Sequence, residues 1–182
     1  DELPENRFMA EHQERFFVCA AGNRGEEWGV ASPGASPYSI CVGSTSLTDG
    51  DVSHFSARGP NGAYYKNRPD EWEEEYKQYG EDAIKPDVVA PGGGRSVKGE
   101  RPIEVITSSM SGWYEAFYDK DYDNIGHAQG TSQSAPFVSG LLANLLQAGV
   151  ITSPGGFKDA LMQQGRKDLE MGHGVPTMGM FF

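Results

Sequence analysis

Two short segments hold residue types that could carry out nucleophilic chemistry. The first is Gly130-Thr131-Ser132-Gln133-Ser134-Ala135-Pro136, where a serine stands as a glycine-containing loop turns into an apolar helix. A helix start offers unpaired N–H groups and a positive partial charge. An oxyanion forming beside Ser132 would be stabilised there, and Gly130 would let a substrate backbone come close. Plain N-capping by Thr131 or Ser132 accounts for the same residues without any chemistry. The second segment is Ala20-Ala21-Gly22-Asn23-Arg24-Gly25, in which an apolar run ends in small residues and one amide. Asn sits in tight turns for local reasons. It also stands here at the carboxyl end of an expected strand, where open α/β sheets bind ligands. Its amide N–H₂ could then be a second oxyanion donor.

These residues need elements to hold them. Residues 16–21 form a short apolar run stopped by Gly22, a pattern that suits a strand buried on both faces. Residues 39–45 and 85–92 read as two more buried strands, the latter closed by Pro91-Gly92, and residues 52–56 as a short further one. The clearest helix is Ser132 to Ala148, where Phe137, Val138, Leu141, Leu142, Leu145 and Leu146 recur at three- and four-residue spacing. A second helix follows at about 156–164, with Phe157, Ala160 and Leu161 on one face. Residues 1–15 look like the end of an amphipathic helix. Region 60–84 is polar and reads as a surface insertion whose acid run, Asp70 to Glu75, is a solvated face. Region 93–126 is a second long connection; such connections are functional or carry structure of their own.

Composition bounds the class. The chain has 182 residues, 15 basic and 26 acidic side chains and a formal charge of -11. Counting Gly and leaving out Tyr, the apolar share is about 46%, within the usual range for folded domains. No run reaches the ~18 apolar residues of a membrane span. The acidic balance argues against a nucleic-acid binder, which needs clustered Lys and Arg. Cys19 and Cys41 are too few for a disulfide framework and lack metal-ligand company. Two buried free thiols or a single bridge both remain open.

Taken together and in order, several stretches resemble the subtilisin-like serine proteases, the subtilases. Gly130-Thr131-Ser132-x-Ser134-Ala135-Pro136 is similar to that family's nucleophile motif, and Ala20-Ala21-Gly22-Asn23 to its oxyanion-hole motif. Residues 36–44, Phe55 to Pro60, Lys85 to Gly92 and the late glycine turn Gly172-His173-Gly174-Val175-Pro176 resemble further family stretches. The resemblance implies an α/β fold, a mostly parallel sheet flanked by helices. It also implies a serine endopeptidase acting through an acyl-enzyme at Ser132. Asn23 would donate to the oxyanion beside the Ser132 N–H. Ala20, Ala21, Gly22, Gly130 and Thr131 would line the substrate, a polypeptide. Arg24, next to Asn23, would favour acidic residues there, unless it is a solvated loop arginine.

One departure stands out. The family's triad runs Asp, His, Ser along the chain, yet only 15 residues precede the first strand. His12, His54, His127 and His173 all lack a His-Gly-Thr context, and a serine without a positioned base is a poor nucleophile. The expectation is therefore that residues 1–182 are the C-terminal part of a subtilase catalytic domain, with insertions at about 60–84 and 93–126. Its fold would be incomplete, and its partner would be the N-terminal half, as a separate chain or segment, bringing the Asp and His. The alternative is an inactive subtilase-like module that binds peptides or acts as a scaffold. No cofactor is implied for catalysis. Subtilases often bind structural calcium, but Asp119-x-Asp121-x-Asp123 fails as an EF-hand, with Asn124 and Gly130 at its sixth and twelfth positions. The family habit is secretion, and the sequence itself carries no address.

Overall fold

A computed structural model describes residues 3–47, 50–59, 68–94, 105–108, 125–165 and 168–182. Helix α1 (Pro4–Glu11) leads into strand β1 (Val18–Ala20), and a single-turn helix α2 (Gly25–Trp28) follows it. Then come β2 (Ile40–Thr45), helix α3 (Pro69–Tyr79) and β3 (Val88–Pro91). Strands β4 (Val105–Ser108) and β5 (Ile125–Ala128) precede the long helix α4 (Thr131–Gln147) and then α5 (Pro154–Met162).

β1, β2 and β3 form one parallel sheet in that order, with Val18 beside Ile40, Cys19 beside Cys41 and Val42 beside Val88. Alternation along the strands decides the two faces. Ile40, Val42, Val88 and Ala90 point to one side and meet Val138, Leu142 and Leu145 of α4 and Phe157 and Leu161 of α5. Cys41 points to the other, into a smaller cluster with Ala21, Val30 and Ala57. Pro154 at the first position and Ser153, whose Oγ accepts from the Gly156 N–H at 3.1 Å, start α5.

The far edge of β3 is covered. The late glycine turn lies along it, with His173 N–H on the Asp87 carbonyl at 2.9 Å and Val89 N–H on the Gly174 carbonyl at 3.0 Å. Gly172 has φ +59°, and a Cβ there would fall 2.3 Å from the Asp87 carbonyl oxygen, so only glycine fits the turn against the strand. Beneath it, Lys85 and Asp87 form a buried pair at 2.8 Å. The Lys85 ammonium also donates to the Ser39 carbonyl, and Asp87 accepts from the Cys41 N–H. Both charges are thus held by further hydrogen bonds, the condition for tolerating a buried pair.

Several expectations change. β1 is half-buried along its length, not buried on both faces, because among the described residues only one strand lies beside it. On α4, Val138, Leu142 and Leu145 are buried, but Phe137 and Leu146 are 51% and 41% exposed. The apolar stripe is wider than the surface that covers it. Residues 52–56 make only isolated bridging at Val52 and Ser53, with Val52 antiparallel to Thr45, rather than a strand. The connection 93–126 carries structure of its own, one of the two expectations for a connection this long: β4 pairs antiparallel with β5, which starts at its end. Helix α3 keeps the surface character expected of region 60–84: it is a helix with no buried residue.

Both cysteines are free thiols. They are register partners on neighbouring strands, and burial pushes the Cys19 thiol above its ordinary pKa. Iodoacetamide at mildly alkaline pH is therefore expected to modify neither thiol readily in the folded protein. Both should react in guanidinium without reductant, read by mass spectrometry. A protein that needs reductant first would show a bridge instead.

Candidate active site

The carboxyl ends of the three parallel strands converge on the start of α4. Beyond β1 the chain turns at Gly22, whose φ of +105° suits glycine, into Asn23. Beyond β3 it turns at Gly92. The Gly92 N–H donates to the Thr45 carbonyl at the end of β2, 3.1 Å away, and the Gly92 carbonyl accepts the Gly130 N–H at 2.8 Å. Those two bonds tie the ends of β2 and β3 to the loop that carries the serine.

The helix start is not capped by a side chain. Gly130 holds the N-cap position, and neither Thr131 nor Ser132 makes a capping bond. The capping explanation for these residues therefore does not hold. Thr131 spends its polar groups elsewhere. Its N–H and its hydroxyl both donate to Asn23 Oδ1, at 2.9 and 3.0 Å, and its hydroxyl oxygen accepts the Gly22 N–H at 3.1 Å. With Oδ1 pinned from that side, the Asn23 Nδ2 donors face away from Thr131, and Asn23 itself is exposed. Gly130, at φ +150°, leaves room for this amide: a Cβ there would lie 3.2 Å from Asn23 Nδ2. The missing side chain at 130 thus leaves room for Asn23 as well as for Gln133, whose Oε1 would lie 3.0 Å from such a Cβ.

Ser132 is exposed at the second position of α4, where N–H groups have no intrahelical acceptor. No charged residue lies anywhere in α4, so nothing on the helix offsets the positive end of its dipole. Two residues on, Ser134 is fully buried and donates to the Ala90 carbonyl at 2.9 Å, clamping the first turn of α4 onto β3.

The structure sorts the residues expected to line a substrate. Asn23 and Ser132 lie at one place, joined through Thr131. Ala21 and Thr131 are fully buried. The Ala21 N–H donates to the Val42 carbonyl and its carbonyl accepts from Ala31, so Ala21 supports the site from behind. Ala20 is half-buried, with its carbonyl facing the Gly34 loop. Of the histidines, His12 packs at a tilt against Phe8 and sits 3.5 Å from Glu14, and His54 packs against Phe55. The His127 side chain lies outside the described residues, as do Asp119, Asp121 and Asp123. Among the described residues no histidine or carboxylate hydrogen-bonds to Ser132, and no three His, Cys, Asp or Glu side chains could share a metal ion. Also among them, no helix is long and apolar enough to cross a membrane. Gly92 and Ser134, the supports of the serine loop, are not evident from sequence as such; a glycine directly after a buried strand is the available signal.

An exposed serine at a helix start and an amide held near it stand where the strand ends of a parallel sheet meet, in an α/β protein whose sheet is flanked by helices. The chain belongs to the Subtilase family (Peptidase S8), whose model matches residues 1–174. Solved structures agree on the fold. The prenylagaramide maturation protease PagA is 19% identical, with a TM-score of 0.58, over 96% of this chain and 51% of its own. The PatG macrocyclase in complex with peptide is 18% identical, with a TM-score of 0.60, over 99% of this chain and 46% of its own. A protease from Pseudoalteromonas arctica is 22% identical, with a TM-score of 0.63, over 97% of this chain and 45% of its own. The chain spans about half the length of these structures.

Proposed function

We propose that this chain supplies the nucleophile and oxyanion hole of a serine endopeptidase, and that a second segment of the same catalytic domain supplies the Asp and His. The observation that carries the reading is the Thr131–Asn23 clamp beside exposed Ser132. In this mechanism Ser132 Oγ attacks the carbonyl of the scissile bond and its proton passes to the histidine of the other segment. The oxyanion accepts hydrogen bonds from the Asn23 Nδ2 amide and the Ser132 N–H. The C–N bond then breaks, the amine leaves with the proton from the histidine, and water releases the acyl group from Ser132. Oxyanion donors act most strongly when held in place before charge develops, which is what the two bonds from Thr131 do to Asn23.

The second segment has surfaces to meet. Among the described residues β1 is an open strand edge, with Phe8 and Phe17 beside it. The outer face of α4 is uncharged and presents Phe137, Gly140, Ala143 and Leu146 to solvent. A helix without charge on any side is normally buried all round. The substrate is a polypeptide, in keeping with the peptide complex of PatG.

The test is fluorophosphonate labelling of the whole protein, with the adduct mapped by tandem mass spectrometry. The expected site is Ser132. Asn23→Ala should lower turnover by about 10²–10³, the magnitude known for the corresponding donor in subtilisin itself. A second reading is a peptide-holding module without turnover, favoured by the lack of a base on Ser132 among the described residues and by the open β1 edge. It predicts peptide binding with no adduct.

A further inference from the structure

Gln133 is the third residue of α4 and is half-buried. A glutamine at that place commonly turns back and accepts the backbone N–H of the N-cap residue, here Gly130. The side chain does turn back: Gln133 Oε1 would lie 3.0 Å from a Cβ on Gly130. Yet the Gly130 N–H is already spent on the Gly92 carbonyl, 2.8 Å away. No side chain caps α4, and among the described residues the Gln133 amide makes no hydrogen bond. A glutamine folded over the helix start is thus left with its carbonyl oxygen uncommitted.

The Asn23 amide stands at the same spot. Its Nδ2 would lie 3.2 Å from that same Cβ position, so the two amides flank one point beside Gly130, and glycine leaves the space between them open. Thr131 binds Asn23 at Oδ1 alone. An amide held only by its oxygen can still swing its nitrogen. Nδ2 carries two N–H groups, and neither is hydrogen-bonded among the described residues. An acceptor for one of them fixes the direction of the other. Gln133 Oε1 is an acceptor on that side. The terminal torsion of a glutamine is soft, so a small rotation completes the bond. Bonds of this kind are often long in an empty site and tighten when substrate is bound.

We propose that Gln133 is a positioning residue for the oxyanion hole: its Oε1 accepts a hydrogen bond from one Nδ2 N–H of Asn23 and so aims the other at the oxyanion. Asn23 is then held at both ends before charge develops, at Oδ1 by Thr131 and at Nδ2 by Gln133. Gln133 itself touches neither substrate nor oxyanion in this role. The inference rests on the endopeptidase reading above and goes beyond it in naming the residue that aims the donor.

The experiment is steady-state hydrolysis by the whole protein of an internally quenched peptide drawn from a mixed-sequence library. It compares the wild type, Gln133→Met, Asn23→Ala and the double variant. Methionine keeps the length of glutamine and removes the acceptor. Gln133→Met is expected to lower kcat by about tenfold with KM unchanged, the size of one hydrogen bond felt only in the transition state. In the Asn23→Ala background the same change should have no effect, because no Nδ2 is left to aim. Equal kcat in Gln133→Met and the wild type overturns the proposal. So does a loss that persists without Asn23, since Gln133 would then act by another route. A capping role would lower the denaturant midpoint of Gln133→Met and leave kcat alone, and that result overturns it too. Should Gln133→Met fail to fold, Gln133→Ala, a strong helix former without an acceptor, takes its place with the same expectations. Fluorophosphonate labelling separates the two claims. A Ser132 adduct and hydrolysis without coupling between Gln133 and Asn23 sink the inference alone; no labelling and no cleavage of any peptide sinks the endopeptidase reading and the inference with it.

Discussion

Ser132→Ala in the complete protein is expected to remove the fluorophosphonate adduct altogether and to bring peptide hydrolysis down to near background. The fall in kcat should be about 10⁶, the size known for loss of the nucleophile in subtilisin itself. Position decides the matter. Ser132 is exposed at the second position of α4, beside an amide that Thr131 holds from its other end. Ser134 lies two residues away, has the same chemistry, and is fully buried on the Ala90 carbonyl. It is therefore the matched control. Ser134→Ala should still accept the adduct at Ser132, and its cost should be about 1 kcal/mol of stability from the lost hydrogen bond. Quantitative labelling of both variants, with denaturant unfolding of each, checks the pair. If Ser132→Ala still takes the adduct, the nucleophile lies elsewhere.

That contrast shows where sequence reading succeeds. Local pattern places α4 within a residue of its observed start, because a loop glycine, small residues and an apolar stripe all point the same way. The parallel sheet that the ordered motifs imply is observed, and it brings Asn23 against Thr131, the neighbour of Ser132. What is not legible depends on neighbours distant in sequence. A stripe containing Phe137 and Leu146 looks like core whether or not anything covers it, and here the covering surface is narrower than the stripe. The run at residues 16–21 reads as doubly buried because its composition carries no mark of its place in the sheet. Capping by Thr131 is sound on local grounds. It fails because the helix begins at Thr131 itself, with Gly130 at the N-cap, and the Thr131 hydroxyl oxygen accepts the N–H of Gly22, 109 positions earlier, rather than one from the first turn. The partners of the cations cannot be read from sequence either, since Arg58 takes the Glu26 carboxylate from a segment 32 positions away.

Gly92→Ala is expected to disable the site while leaving Ser132 and Asn23 chemically intact. A Cβ at residue 92 would lie 2.2 Å from both Ser134 Oγ and Ser44 Oγ and 2.7 Å from the Gly130 carbonyl oxygen. None of these can give way cheaply. The Ser134 hydroxyl is committed to Ala90, the Ser44 hydroxyl to Ser53 at 2.9 Å, and Ser53 in turn donates to the Gly93 carbonyl at 2.7 Å. The third neighbour is backbone, one residue before Thr131. Relief must come from moving the Gly92 turn away from α4. That motion breaks the Gly130 N–H bond to the Gly92 carbonyl and slides Gly130 against the Asn23 amide. Overpacking of this kind costs about 1–3 kcal/mol or more, and misplacing reacting groups by about 1 Å costs on the order of 10² in rate. Loss of the Ser132 adduct in Gly92→Ala, with far-ultraviolet circular dichroism retained, is the expected result. The double variant Gly92→Ala/Ser134→Ala removes one of the two hydroxyl overlaps and should recover part of the labelling rate. A Gly92→Ala protein that labels as fast as the wild type would show that the turn after β3 does not position the nucleophile.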